Sequence, residues 1–109
     1  MKSLYSKYIK EREGKEIIES GIGFMTYKIK GDECYVADVY IEPEFRKSGI
    51  ASEMCSKIEK IARERGCKFL TGTVTPSLEG ANVSLISQLN YGFKLHSCIN
   101  DFIILKKDL

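Results

Sequence analysis

Histidine is nearly absent from this chain of 109 residues: His96 stands alone, and the four cysteines, Cys34, Cys55, Cys67 and Cys98, include no Cys-x-x-Cys pair. Zinc sites bring their ligands in close pairs, so this spacing argues against a metal centre. Each cysteine lies in an apolar stretch, which fits buried, reduced thiols and an intracellular setting. An excess of one charge is also lacking. The 17 basic residues are interleaved with 15 acidic ones, giving a formal net charge of +2, whereas a nucleic-acid binder carries a clustered basic face. No apolar run approaches the roughly 18 residues that span a bilayer. The stretch Met1-Lys2-Ser3-Leu4-Tyr5-Ser6-Lys7-Tyr8 holds no signal-peptide core. The expectation is a soluble, cytoplasmic protein with neither a nucleic-acid nor a membrane partner. Proline is scarce too, and each of the two, Pro43 and Pro76, ends an apolar run.

A composition that is 43% hydrophobic and 29% charged predicts one globular domain over residues 1–109, burying about two-thirds of the unfolded surface. The first 42 residues read as strands. Leu4, Tyr5, Tyr8 and Ile9 form a short candidate strand, Glu11 to Lys15 a charged turn, and Ile17 to Ile29 a longer strand in which Gly21 and Gly23 mark a bulge or close approach. After the turn Lys30-Gly31-Asp32-Glu33, a third strand runs from Cys34 to Ile41. Ile50, Met54, Ile58, Ile61 and Ala62 then repeat at helical spacing, with Ser48 as candidate N-cap and Gly66 at the left-handed position past the end. Cys67 to Thr75 predicts a strand, Val83, Ile86 and Leu89 a shorter helix closed by Gly92, and Phe93 to Cys98 with Phe102 to Lys106 a last hairpin. The fold class is α+β: a mixed, mostly antiparallel sheet of about six strands with two main helices.

The most informative segment is Ile41-Glu42-Pro43-Glu44-Phe45-Arg46-Lys47-Ser48-Gly49-Ile50-Ala51. An apolar strand ends at a proline, a basic loop with one glycine follows, and an amphipathic helix begins. A helix N-terminus offers unpaired N–H donors and partial positive charge, so this junction suits a phosphate or diphosphate. A solvated turn ahead of a helix is the plainer alternative for the loop taken alone.

Strand, proline, Arg-x-x-Gly-x-Ala and helix together resemble the acetyl-CoA signature of the GNAT superfamily of N-acetyltransferases. That signature is an apolar residue-x-Pro-x-x-Gln/Arg-x-x-Gly-x-Gly/Ala, and Ile41, Pro43, Arg46, Gly49 and Ala51 fill it. The order of later elements and the pair Gly92-Phe93 extend the resemblance over roughly residues 15–107. It implies a GNAT-like fold lacking the usual first two helices. It also implies acetyl-CoA as cosubstrate, with main-chain groups of Lys47, Ser48, Gly49, Ile50 and Ala51 receiving the diphosphate and Arg46 and Lys47 adding charge. The pantetheine arm would enter a gap between Val39-Tyr40-Ile41 and the strand Leu70 to Thr75. Asn82 and Ser84, opening the second helix, are further cofactor candidates, with ordinary capping as the alternative reading.

The implied activity is direct transfer of acetyl from acetyl-CoA to a primary amine, on a peptide, protein or small molecule. The alternative is a catalytically weak or inactive acyl-CoA-binding or partner-binding module. The missing acid and the absence of the usual acceptor-side helices motivate it. Where many members carry an acidic tyrosine four residues before the glycine of Gly-Phe, this chain has Gln88, and the strand Thr71-Gly72-Thr73-Val74-Thr75 holds no glutamate base. Asp38, a charge inside an apolar strand, and Tyr40, beside the expected thioester, are the substitute catalytic candidates. Asp38 would otherwise face solvent or pair with a lysine or arginine from a neighbouring strand, and Tyr40 would otherwise pack in its strand. Glu79 could meet an amine from its loop, while His96 reads as a hairpin residue. With so little chain between the first strands, the acceptor side should be open or completed by a second copy in a homodimer.

Overall fold

The computed structural model describes residues 2–109. Six strands form one sheet: β1 (Glu16–Glu19), β2 (Gly23–Lys30), β3 (Glu33–Ile41), β4 (Phe69–Val74), β5 (Lys94–Ile99) and β6 (Phe102–Asp108). Their spatial order is β1-β2-β3-β4-β6-β5. Only β3 and β4 are parallel, and the helix α2 (Ile50–Glu64) connects them. A second connecting helix, α3 (Ala81–Tyr91), links β4 to the β5–β6 hairpin. The mixed, mostly antiparallel sheet expected from the sequence is therefore present.

The N-terminus differs from that expectation. Residues Leu4–Glu13 form a helix, α1, where Leu4, Tyr5, Tyr8 and Ile9 suggested a strand. Their spacing of one, three and one is helical, since neighbours in a strand alternate between faces. Ser3 caps the start by accepting the N–H of Ser6 at 3.0 Å, and Gly14, at φ +67°, ends it by donating to the carbonyls of Ile9 and Lys10. The Glu11 to Lys15 turn is thus largely the last turn of α1. The run read as one strand over Ile17 to Ile29 is two, folded at Ser20-Gly21-Ile22 into the β1–β2 hairpin, where Ser20 N–H donates to Gly23 O at 2.9 Å. Gly23 has no room for a side chain, because a Cβ there would lie 2.4 Å from the carbonyl oxygen of Tyr40. Three helices, one of them ahead of the sheet, replace the two expected.

The core lies between the sheet and α2–α3. The α2 stripe Met54, Cys55, Ile58 and Ala62 is buried against Met25, Tyr27, Cys34, Leu70 and Leu105. Ile58, Leu70 and Leu105 are wholly inaccessible, and burying each contributes about 1.5–3 kcal/mol. Phe24, between Met25 and the hairpin, points to the opposite face, where it meets Tyr5 of α1 at 5.5 Å between ring centroids. On that second face α1 packs over β1 and β2. Beyond it lie paired polar groups, with Glu33 accepting from Thr71 and Tyr35 hydroxyl 3.1 Å from Thr73 Oγ1. Cys34, Cys55 and Cys67 are buried free thiols; Cys98 is exposed on the edge strand β5, contrary to the sequence expectation. Burial pushes the Cys34 thiol up to about 12 and Cys55 up to about 11. No described helix is long and apolar enough to cross a membrane.

Candidate cofactor and acceptor site

Parallel pairing between β3 and β4 covers three residue pairs, Glu33–Phe69, Cys34–Leu70 and Tyr35–Thr71. Beyond them the strands part. β3 continues to Ile41 paired with β2, while β4 continues through Gly72, Thr73 and Val74 paired with β6. The facing edges therefore bound the gap expected between Val39-Tyr40-Ile41 and the β4 strand. Glu42 N–H bonds Ile22 O at 2.8 Å across the β2 side. The two-residue period then turns the main-chain groups of Ile41 and Val39 the other way, toward the gap.

At the mouth of this gap, Pro43–Phe45 make a single 3-10 turn, and the loop Arg46 to Gly49 leads into α2. Lys47 at φ +63° and Gly49 at φ +85° both adopt the left-handed conformation. No atom lies within 4 Å of a Cβ placed on Gly49. Its glycine therefore answers the backbone angle and leaves open space above. Gly49 is the N-cap of α2 and gives no side-chain cap. Ser48, the expected cap, instead donates its hydroxyl to the carbonyl of Phe45. The helix start is thus uncapped. Among the described residues no acceptor meets the N–H groups of Lys47, Ser48, Gly49, Ile50, Ala51 and Ser52, and the first satisfied is Glu53, to Gly49 O at 3.0 Å. Unpaired N–H donors at a helix start are the kind of groups that an anion satisfies.

Arg46 takes a role the sequence did not disclose. Its Nε donates to the carbonyl of Ile41 at 2.8 Å, and its guanidinium stacks 5.6 Å from the ring centroid of Tyr40. Lys47 is exposed at the loop surface. Across the gap, α3 starts at Gly80, φ +83°, again with no side-chain cap. A shallow concavity of about 240 Å³ lies there, lined by Pro76, Leu78, Gly80, Ala81, Asn82 and Val83. Asn82 faces it, whereas Ser84 Oγ accepts from Gln88 Nε2 at 3.2 Å, so neither residue caps the helix. Glu79 stands exposed in the loop before α3.

Asp38 accepts from Lys15 Nζ at 3.3 Å and from Thr26 Oγ1 at 3.0 Å, so it is paired, but with a lysine of the loop before β1 and not with one from a neighbouring strand. Hydrogen bonding to Glu13 and Asp38 raises the Lys15 pKa despite the opposing pull of burial. Tyr40 is half exposed, its ring 6.0 Å from that of Phe24. Gln88, in the place of the missing acid, reaches β4: Nε2 donates to Thr73 O at 3.3 Å, and Oε1 is buried with no partner, lying where a Cβ on Gly72 would be. The glycine inside a strand rich in β-branched residues was the sequence signal for that contact. Lys15, by contrast, gave none, because its partner lies 23 residues away.

The Acetyltransferase (GNAT) family profile matches residues 5–90, and the chain belongs to that family. A thialysine N-epsilon-acetyltransferase from Bos taurus is 33% identical over 61 residues, which cover 55% of this chain and 36% of that enzyme. Its Sus scrofa counterpart is 31% identical over 58 residues, covering 52% and 34%. The match thus spans about a third of those relatives' length. Among solved structures, the PaiA N-acetyltransferase of Thermoplasma acidophilum, in complex with coenzyme A, superposes with a TM-score of 0.78 at 19% identity, over 97% of this chain and 69% of that one. A GNAT acetyltransferase from Elizabethkingia anophelis with acetyl-CoA bound gives 0.75 at 13% identity, over 98% and 86%.

Proposed function

We propose that residues 1–109 form one acetyltransferase domain that moves an acetyl group from acetyl-CoA to a primary amine by direct transfer. The observation that carries this reading is the pairing of six unpartnered N–H groups, Lys47 to Ser52, with a gap between β3 and β4 that opens beside them. Membership of the GNAT family and likeness to acetyltransferases support it. Acetyl-CoA supplies an activated thioester, from which the amine takes the acetyl group while the thiol is released.

The chain's own contribution is mostly positional. The N–H run holds the diphosphate, and the inward-facing main chain of Val39 and Ile41 orients the arm. A Val39 N–H in the gap suits stabilisation of developing oxyanion charge. Holding amine and thioester together supplies much of the rate. Asp38, tied to Lys15 and Thr26, serves as an acceptor of protons only through exchange of those partners, and Tyr40 offers a hydroxyl beside the gap. Three buried thiols support a reducing compartment such as the cytoplasm. The thialysine N-epsilon-acetyltransferases similar to this chain favour an epsilon amine as the acceptor.

Thiol release from acetyl-CoA in the presence of an amine panel tests the activity directly. The second reading, an acyl-CoA-binding module without turnover, is favoured by Gln88, whose amide donates no proton and is already committed to Thr73. CoA binding with no thiol release on any amine would establish that reading over the first.

A further inference from the structure

Strand β3 carries one residue more than β2 just where it leaves β4. Met25 pairs with Val39 and Tyr27 with Val36, so Ala37 and Asp38 together face the single residue Thr26, which makes a β-bulge. Its effect shows in the burial. Cys34 and Ile41 are both buried in the core, although an odd separation puts residues on opposite faces of an unbroken strand. The parallel pairs with β4 end at Tyr35–Thr71, immediately before the bulge. Thr26 is wholly inaccessible, and its hydroxyl serves as both acceptor and donor. It accepts the Asp38 N–H at 3.0 Å, a group that the extra residue takes out of the ladder, and it donates to Asp38 Oδ2 at 3.0 Å. Lys15 Nζ reaches the same carboxylate oxygen at 3.3 Å from the loop after α1.

We infer that Thr26 is a positioning residue, whose hydroxyl holds the bulge in place and so turns the Val39 N–H into the gap. The inference rests on the acetyltransferase reading, in which that N–H meets the thioester oxygen. An unbroken strand would turn the main chain of Asp38 and Tyr40, not of Val39 and Ile41, to the gap. Asp38 acts through Thr26. By accepting the hydroxyl proton, its carboxylate leaves a lone pair of Thr26 Oγ1 aimed at the Asp38 N–H. Valine has the shape of threonine without the hydroxyl, so it leaves that N–H unpaired against a buried side chain, and the bulge loses what holds it. Serine keeps the hydroxyl and both bonds.

The Val39 amide signal in NMR of nitrogen-15-labelled protein reads this role without turnover. The probe is acetonyl-dethia-CoA, an uncleavable ketone in which a methylene replaces the thioester sulfur, with CoA as the reference. In the wild-type chain and in Thr26→Ser the Val39 amide proton is expected downfield with the ketone relative to CoA, and in Thr26→Val that difference is lost. Should Thr26→Val melt far below the wild-type chain, Asp38→Ala removes the acceptor from an exposed position and is expected to reduce the same difference. Kinetics give a second readout. In Thr26→Val kcat is expected to fall at least about tenfold while KM for acetyl-CoA stays within about twofold, and Thr26→Ser restores kcat to within about threefold of wild type. A Val39 signal that never distinguishes ketone from CoA overturns the inference, as does one that distinguishes them equally in Thr26→Val, or a kinetic change confined to KM. The Val39 difference without thiol release on any amine contradicts the activity and leaves the role of Thr26 standing. Thiol release that Thr26→Val leaves unaltered does the reverse.

Discussion

Arg46 Nε donates to the carbonyl of Ile41 at 2.8 Å, so the loop's most basic side chain closes back on the strand it has just left. The same guanidinium covers the Tyr40 ring. Arg46 therefore ties the loop that carries the Lys47 to Ser52 donors back to β3.

Replacing Arg46 by alanine is expected to weaken CoA binding about three- to tenfold, by loosening the loop while every N–H remains. Arg46→Lys should behave like alanine, because an ammonium has no planar Nε to meet Ile41 O. Calorimetry with CoA checks both. A hundredfold loss would mean that the guanidinium meets the phosphates itself.

Gly49→Val attacks the donor run in a different way. A β-branched residue at φ +85° is strained by about 1–2 kcal/mol, and its side chain occupies the open space above the donors. CoA affinity should fall at least tenfold, with a lower melting temperature. Unchanged affinity would contradict the assigned position of the diphosphate.

Gly72 and Gln88 are expected to be coupled. A Cβ on Gly72 would displace Gln88 Oε1 and break the bonds to Thr73 O and Ser84. Gly72→Ala should cost about 2 kcal/mol, the worth of two ordinary hydrogen bonds. In a Gln88→Ala background the same change should cost less, and a double-mutant cycle by urea denaturation measures the difference.

Acid should weaken the fold through two carboxylates. Arg65 bonds Glu16 at 2.7 and 3.0 Å and holds its carboxyl below the ordinary 4.5. Burial alone would push Glu59 up, but bonds from Lys107 and Arg63 outweigh it and leave it lowered too. A carboxyl with a depressed folded pKa stabilises fully above its unfolded value and loses that contribution as pH falls through the folded one. Urea midpoints should therefore hold steady from neutrality to about pH 5 and decline below the mid-4s. Glu59→Gln should lower the neutral midpoint and flatten the decline.

The elements that position the candidate site were legible because their signals are local. Pro43, Gly49, the Ile50-Met54-Ile58 stripe and Gly92-Phe93 each act within a few residues, and the structure has β3, α2 and α3 where they indicated. Helix α1 was harder to read because only four apolar residues carry its helical spacing, and its caps, Ser3 and Gly14, stand outside that set. The row of Glu19, Phe24 and Tyr40 was not legible at all. It forms only through the register of three strands, which no local spacing encodes. Asp38 likewise read as an anomaly until α1 and the turn after it brought up Lys15.

Calorimetry comparing CoA with pantetheine, which lacks the diphosphate, tests the central claim most directly. A cradle of peptide donors at Lys47 to Ser52 predicts measurable CoA binding and pantetheine binding at least a hundredfold weaker. Equal binding of the two, or no heat with CoA at all, would contradict it.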